Sequence, residues 1–281
     1  MGTILLMGAG LQTTVTGPTY DPDAQLFFNA QSGAGVTLTT TEKNAVNQWV
    51  VDSKAANIWT KFKAIYPMVG GTSTSCKWNL KNPVDSNAAY RLTFFGGGTF
   101  SANGYLPNGT NAYASTFLNP LAALTNNNTH MSYYSRTTTS GANRGLIGAS
   151  TGGASLPLFT IYGRNATNSV FMDSYDYTLC RAGINDTNGA AFYINSRTTG
   201  TSFKAYRNAT LAQTITVSNT YNVATINFPI TIGALNLNGV VSQFSNFQCA
   251  FASIGDGLTD AEALAFYNAV NAFQVTLGRN V

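Results

Sequence analysis

The chain contains the runs Leu158-Phe-Thr-Ile-Tyr162, Ala191-Phe-Tyr-Ile194 and Ser202-Phe-Lys-Ala-Tyr206. Each run is short and rich in β-branched or aromatic residues, and turn clusters such as 185–189 separate the runs. Many short strands with Gly- and Asn-rich turns are typical of a sandwich or jelly roll. The same pattern extends over about 75–251, so the sequence predicts a mainly β fold.

Further strands are expected in this region wherever the same two-residue period recurs. The segments concerned are Lys77-Trp-Asn-Leu80, Tyr90-Arg-Leu-Thr-Phe94 and Met131-Ser-Tyr-Tyr-Ser135.

Helical patterns flank the predicted strands. Thr39-Thr-Thr-Glu42 has the spacing of a capping box, and apolar residues then recur at helical intervals as far as Pro67. This predicts helix over about 42–66, as one element or as two that are broken near residues 55–57. A second capping box, Thr259-Asp-Ala-Glu262, precedes an apolar stripe and predicts a helix over about 260–278.

The predicted elements fit one large unit, because β-sandwiches of this size often form a single domain. We expect an N-terminal arm at 1–23 and a single jelly-roll domain at 24–281. The apolar stretch Ile4–Met7 is too short to span a bilayer and has no basic segment before it, so we expect no membrane partner and synthesis in a cytoplasm.

The composition favours a neutral, hydrogen-bonding surface. Charged residues make up only 9% of the chain, against roughly 25% in an average globular protein. The net charge of +4 is small and the basic residues are scattered, which argues against nucleic acid as a partner. Such a surface suits extended protein contacts or sugars.

Catalytic patterns are present but incomplete. Gly148-Ala-Ser150-Thr-Gly152 matches a nucleophile elbow, yet the single histidine, His130, lies upstream of it and not downstream. A glycosidase needs two carboxylates that face one sugar. Both glutamates, Glu42 and Glu262, begin predicted helices and are explained by capping.

The remaining carboxylates give a weak catalytic signal. Asp173 and Asp176 are three residues apart, which on a strand places them on opposite faces. We therefore predict that the chain is not an enzyme. A groove in which Asp173, Asp176 or Asp186 converge would revive the glycosidase alternative.

Metal-binding patterns are likewise weak. Cys76, Cys180 and Cys249 are widely spaced, so we expect buried, reduced thiols and no zinc site. No cofactor is predicted. Calcium stays open as an alternative, since oxygen-only sites have no firm sequence signature outside the EF-hand; the candidate ligands are Asp21, Asp23 and Asp256, which are more simply explained as turn residues.

Tyrosines supply the candidate ligand-binding residues. About half of the residues of each strand face outward, and an accessible tyrosine ring beside Asn and Arg side chains can form a ligand patch. From the tyrosines of the predicted strands we select Tyr134, Tyr175 and Tyr177 as the candidate ligand-binding residues.

Several motifs together resemble the concanavalin/LamG-like jelly-roll proteins of tailed bacteriophages, which are frequent among phages of Bacteroidetes-type and marine bacteria. The motifs occur in the family's order and cover nearly the whole chain, although the strand region 144–226 carries little of the resemblance. They are Tyr20-Asp-Pro-Asp-Ala-Gln25, Ile58-Trp-Thr-Lys-Phe-Lys-Ala-Ile-Tyr-Pro67 with Gly70-Gly71, Lys77-Trp-Asn-Leu-Lys-Asn-Pro83, Asn108-Gly-Thr-Asn-Ala-Tyr113, and Phe251-Ala-Ser-Ile-Gly-Asp-Gly-Leu-Thr-Asp260.

The resemblance implies a concanavalin A-like jelly-roll sandwich with an N-terminal helical segment and a C-terminal helix. It also implies a virion structural protein, as a head fibre or decoration, a tail fibre or a receptor-binding subunit. The partners expected from it are other virion proteins, a host surface glycan and further copies of the chain, with a trimer favoured. The alternatives left open are a carbohydrate-active sandwich enzyme and a bacterial sugar-binding module.

Overall fold

A computed structural model describes residues 19–141, 144–152, 157–218 and 226–281. Five α-helices occur in these ranges: α1 Pro22–Gly33, α2 Thr40–Ala55, α3 Ser73–Cys76, α4 Pro120–Ala123 and α5 Asp260–Thr276. Short 3₁₀ turns lie at Trp59–Lys61 and Asn87–Ala89.

The strands of the same ranges, in chain order, are β1 Phe62–Tyr66, β2 Thr93–Phe95, β3 Thr99–Ser101, β4 Gly104–Leu106, β5 Tyr113–Ser115, β6 Thr129–Ser135, β7 Gly145–Ser150, β8 Leu158–Tyr162, β9 Ser169–Ser174, β10 Arg181–Asn185, β11 Ala191–Thr199, β12 Ser202–Arg207, β13 Thr210–Ile215, β14 Thr231–Ile232, β15 Leu235–Leu237, β16 Val240–Ser242 and β17 Cys249–Gly255.

The strands form two sheets. Sheet A has the order β13-β12-β11-β6-β17-β4-β3, with β1 also paired to β17. Sheet B has the order β10-β9-β8-β7-β14-β5-β2, with β15 paired to β7 and β16. The pairs along both paths are antiparallel, while β15 runs parallel to β7. The two sheets pack face to face, and the mainly β jelly-roll prediction is confirmed.

Alternation along the strands separates two apolar clusters. On β6, Tyr133 packs into the cluster between the two sheets, whereas its neighbour Tyr134 packs against the helices. On β11, Tyr193 belongs to the inter-sheet cluster while Phe192 and Ile194 face the helices. Sheet A is therefore buried on both faces, because successive side chains of a strand point to opposite sides.

The long helices cover the outer face of sheet A. On α5, Phe266 makes ring contacts with Trp49 of α2, with Phe192 of β11 and with Phe251 of β17. This aromatic packing holds α2 and α5 together on the sheet. Helix α5 thus packs both on sheet A and against α2.

Both predicted capping boxes are confirmed. The Thr39 side chain accepts from the Glu42 amide, and Glu42 accepts from the Thr39 amide at 2.8 Å. Thr259 and Glu262 make the same reciprocal pair at the start of α5. The two glutamates thus satisfy amide hydrogens that a helix start leaves without partners.

The helix predicted over 42–66 is wrong in its second half. Helix α2 ends at Ala55, Asn57 takes a left-handed φ of 57°, and 62–66 forms strand β1. A β-bulge between Phe62 and Ala64 shifts the alternation, so that Phe62 and Ile65 both contact the helix-facing cluster. Their three-residue spacing, which indicated a helix, arises from this bulge.

The strand predicted at 77–80 is also wrong. Side-chain bonds of Asn79 take the place of a backbone ladder between this segment and β1. Its Oδ1 accepts from the Ile65 amide at 2.9 Å, and its Nδ2 donates to the carbonyl oxygens of Lys63 and Ala89. The segment is fixed to β1 by one amide side chain and by the Leu80 amide, which donates to the Ile65 carbonyl.

The N-terminal arm predicted at 1–23 lies outside the described residues as far as residue 18. Helix α1 begins at Pro22, two residues before the expected domain boundary, because Asp21 serves as its N-cap and accepts from the Asp23 amide. Lys54 of α2 binds both carboxylates, with its Nζ 2.6 Å from Asp21 Oδ1 and 2.6 Å from Asp23 Oδ2.

The chain end is fixed by a buried arginine. The side chain of Arg279 is 1% exposed and donates to the carbonyl oxygens of Pro67, Met68 and Ala250 at 2.7–2.8 Å, and to that of Ala102 at 3.2 Å. Its Nε also donates to Gln274. Burial lowers the pKa of Arg279 to about 10. The guanidinium ties the C-terminus to segments that are distant in sequence.

Candidate functional site

The outer face of sheet B is the sandwich face that α1, α2 and α5 do not cover. Cross-strand register identifies its residues: Arg181 pairs with Asp173, Asp173 with Thr160, and Thr160 with Gly148. Directly paired residues share a face. The neighbouring positions Ile161 and Met172 point into the inter-sheet core, so Thr160, Asp173 and Arg181 lie on the outer face.

An ion pair forms the centre of the site. Arg181 Nε lies 2.7 Å from Asp173 Oδ1, and its Nη2 lies 3.0 Å from Oδ2. The Thr160 hydroxyl donates to Oδ2 at 2.7 Å. Asp173 is completely buried, while the Arg181 side chain is 22% exposed. The carboxylate therefore lies beneath the guanidinium and uses both of its oxygens.

Aromatic rings surround the same guanidinium. Its central carbon lies 4.0 Å from the ring centroid of Tyr177, 5.0 Å from that of Phe171 and 5.5 Å from that of Tyr162. A cation near the face of a ring is attracted by the negative charge of that face. We call Tyr162, Phe171, Asp173, Tyr177 and Arg181 the Arg181 cluster.

Burial and pairing set the ionisation of the cluster. Desolvation raises the pKa of Asp173, and the bonds from Arg181 and Thr160 offset this only in part. The pKa of Arg181 is raised because its ion pair with Asp173 outweighs the desolvation that would lower it. Burial also raises the pKa of Tyr162, which keeps its hydroxyl neutral. The cluster holds one positive and one negative group in direct contact.

The three predicted ligand-binding tyrosines occupy different environments. Tyr134 is 2% exposed, packs on Phe192 and accepts from the Val281 amide. Tyr175 is fully buried and stacks on Phe159 in the core between the sheets. Buried rings offer no face to a ligand, so neither residue is placed to bind one at the surface. Tyr177 is 44% exposed and belongs to the Arg181 cluster.

The structure does not bring the candidate carboxylates together as a free pair. Asp173 is held by Arg181, and Asp186 is held by Arg207, whose Nε lies 2.7 Å from Asp186 Oδ2. Asp176 is buried in the turn after β9, where it accepts from the Thr178 and Leu179 amides. The pKa of Asp186 is lowered to about 2, because the bonds to Arg207, Tyr193 and two amides outweigh desolvation.

Ser150, the serine of the nucleophile-elbow pattern, and His130, the single histidine, lie in different sheets. Ser150 is buried at the end of β7 in sheet B, and its hydroxyl accepts from the Gly152 amide. His130 is buried in β6 of sheet A, where it contacts Phe62 and Phe266 beneath the helices. The two side chains are separated by the sandwich and form no dyad.

The calcium candidates have other partners. Asp21 and Asp23 bind Lys54, and Asp256 lies 3.5 Å from the Lys63 ammonium. Among the residues that the structure describes, no three His, Cys, Asp or Glu side chains form a group that could hold a metal ion. All three cysteines are buried and free.

Two further surface features are less suited to a ligand. A shallow groove of about 400 Å³ is lined by residues 34–37 with Gly70, Thr72 and Thr74, and this lining contains no ring and no charge. At the opposite edge of sheet B, Phe95 and Tyr113 stack on each other with centroids 4.8 Å apart. Within the described ranges, no Lys or Arg side chain lies over either of these two rings.

Sequence reasoning found Tyr177 but missed Phe171 and Arg181. Phe171 and Asp173 stand two residues apart on β9, which places both on one face. The turn at 175–180 then sets Arg181 opposite Asp173. Register of this kind depends on the turn, which the local pattern of the sequence does not fix.

No protein-family model and no curated protein matches the chain. Among solved structures, the fold is similar to domain 4 of AbnA, an extracellular GH43 arabinanase from Geobacillus stearothermophilus in complex with arabinotriose. That match has a TM-score of 0.52 and 13% identity, and covers 73% of this chain and 98% of the other.

A second similar structure is a mutant of Trypanosoma rangeli sialidase that displays trans-sialidase activity, with a TM-score of 0.56 and 11% identity over 89% of this chain and 38% of the sialidase. The Ruminococcus gnavus IT-sialidase CBM40 matches with a TM-score of 0.41 and 14% identity, over 50% of this chain and 83% of that domain. At these identities the first two matches support a shared jelly-roll fold.

Proposed function

We propose that this chain is a glycan-binding jelly-roll module that binds sugar at the Arg181 cluster and turns over no substrate. The observation that carries this function is the exposed ring of Tyr177, which is held in place by Arg181 on a sheet face that the helices leave uncovered. A fixed aromatic ring presents a large apolar surface, and its hydroxyl remains able to bond to a polar ligand.

Two further findings support sugar as the ligand. The 9% content of charged residues favours recognition by neutral hydrogen bonds and apolar contact. The arabinanase domain of the same fold was solved with arabinotriose, so a sandwich of this architecture can carry a sugar.

The partners of the carboxylates support binding without catalysis. Glycoside hydrolysis uses one carboxylic acid and one free carboxylate on either side of the scissile bond. Here Asp173 and Asp186 each pair with an arginine, and Glu42 and Glu262 cap helices. No oxygen pair among these four residues is arranged to give and receive a proton at a sugar.

We expect Tyr177→Ala to weaken oligosaccharide binding by about tenfold or more, because it removes the exposed ring. The ligand is first identified by screening the whole chain on a glycan array and is then measured by titration calorimetry. The fold should persist, since Tyr177 is 44% exposed.

Phe95→Ala is the matched control, because Phe95 is 42% exposed on the far edge of the same sheet face. Full affinity in the Phe95 variant with loss in the Tyr177 variant supports the assignment. Unchanged binding in the Tyr177 variant, or no glycan bound by the wild-type chain, rejects it.

We further propose that the chain is part of the particle of a tailed bacteriophage. In that particle it would form a homotrimer and would bind a glycan of the host surface. The motif resemblance supports this assignment to a phage particle, as does the neutral surface, which suits extended protein contacts.

No helix in the described ranges is both long and apolar enough to cross a bilayer.

Mass spectrometry of density-purified particles tests the phage setting. We expect a fixed copy number per particle, in a multiple of three. Absence of the chain from the particles rejects the virion role and leaves a sugar-binding module outside a particle.

A further inference from the structure

The Arg181 cluster contains a feature that bears on which sugars it accepts. An arginine that recognises a carboxylate sugar such as sialic acid presents two parallel N–H groups to the two acid oxygens. In this chain the Nε and Nη2 groups of Arg181 already form such a fork, and they direct it to Asp173 at 2.7 and 3.0 Å.

The internal carboxylate is held too firmly for a ligand to displace it easily. Asp173 is completely buried, and Oδ2 also accepts from the Thr160 hydroxyl at 2.7 Å. Breaking the pair would leave a buried charge without its partner, which is strongly unfavourable. An incoming acid would therefore meet a guanidinium whose charge Asp173 already balances.

The remaining surface of the cluster suits an uncharged ligand. Tyr177 lies 4.0 Å over the guanidinium and is 44% exposed. The ring can therefore receive the apolar face of a sugar, whose hydroxyl groups need neutral hydrogen-bond partners and no counter-charge.

We propose that the Arg181 cluster selects neutral glycans, and that Asp173 is the specificity-determining residue because it binds the Nε and Nη2 edge of Arg181 and balances the positive charge that an acidic sugar would need. This inference rests on the proposed function, and it narrows the ligand to oligosaccharides without carboxylate, sulfate or phosphate groups.

Titration calorimetry on the full chain tests the selection, with arabinotriose and the best neutral ligand from the array as neutral probes and sialyllactose as the acidic probe. We expect sialyllactose to bind at least about tenfold more weakly than the best neutral ligand. Neutral binding should change by less than about twofold between about 0.05 and 0.5 M NaCl, since salt screens charge but not stacking.

Asp173→Asn supplies the second measurement. The amide keeps the shape of the carboxylate but leaves the positive charge of Arg181 unmatched. We expect sialyllactose affinity to rise about tenfold and to become salt-sensitive. If this variant does not fold, the salt dependence of binding and the ranking of the probes by affinity, both measured on the wild-type chain, still test the selection of neutral glycans.

The outcomes separate the two proposals. Sialyllactose that binds more tightly than every neutral probe, with affinity that depends on both salt and Tyr177, overturns neutral selection and leaves glycan binding at the cluster intact. Neutral binding that Tyr177→Ala leaves unchanged overturns the site itself. No binding of either class overturns both.

Discussion

Arg279→Ala is expected to lower the free energy of unfolding by about 4 kcal/mol. The guanidinium is 1% exposed and supplies the donors for the carbonyl oxygens of Pro67, Met68, Ala102 and Ala250. Alanine removes all four of these hydrogen bonds, of which only the Ala250 oxygen keeps another side-chain donor, Gln274, and it opens a cavity; both changes are costly. Urea unfolding followed by circular dichroism measures the difference.

Asn280→Ala is the control for this variant, since Asn280 is the adjacent residue and is exposed. We expect it to change stability by less than about 0.5 kcal/mol. If both substitutions changed the free energy of unfolding by the same small amount, the hydrogen bonds of Arg279 would contribute nothing to stability, and the prediction would be wrong.

Acidification from pH 6.5 to pH 4 is expected to reduce stability by about 3 kcal/mol through His130. Burial lowers the pKa of His130 to about 4, from an ordinary value of 6.5. The ring Nδ1 donates to the Asp256 carbonyl, and Nε2 lies 3.1 Å from the Ser253 hydroxyl. The folded state therefore holds the neutral ring.

The direction of this pH dependence follows from proton uptake. Between pH 6.5 and 4 the unfolded chain binds a proton at His130 that the folded chain does not, so stability is full above pH 6.5 and falls as the pH approaches 4. His130 is the single histidine in the sequence, so no other imidazole contributes in this window. Unfolding free energies at half-unit pH steps measure the slope.

A His130→Asn variant provides the comparison. It should be less stable than the wild-type chain at pH 7, and it should lose most of the slope between pH 6.5 and 5. A wild-type profile that is flat over this range would mean that His130 is accessible to solvent, contrary to its complete burial.

Sequence patterns predict the fold best where local chemistry alone defines an element. Helix α5 follows from the Thr259–Glu262 capping box and the stripe that includes Phe266, and its bounds of 260–276 agree with the expected 260–278. Strand β8 coincides with the expected run 158–162. The two-sheet sandwich follows from many such runs.

The errors occur where contacts between distant residues replace the local pattern. The bulge between Phe62 and Ala64 gives β1 a helix-like spacing. The Asn79 side chain pairs with β1 in place of a backbone ladder at 77–80. Both features depend on a partner segment, and the period of a single segment does not contain that information.

The site was predictable only in part for the same reason. Tyr177 could be selected because tyrosines are common in ligand patches, yet Tyr134 and Tyr175 satisfied the same criterion and are buried. The pairing of Arg181 with Asp173 requires the register of β9 and β10. Which sheet face the long helices leave uncovered depends on where α2 and α5 pack, and the packing of these helices depends on the whole fold.

The most direct test of the account is a crystal structure of the full chain with the tightest neutral oligosaccharide identified on the array. We predict a sugar ring stacked on the exposed face of Tyr177, with the Arg181–Asp173 ion pair intact beneath it. A sugar bound elsewhere, or bound through an acid group that displaces Asp173 from Arg181, would contradict the account.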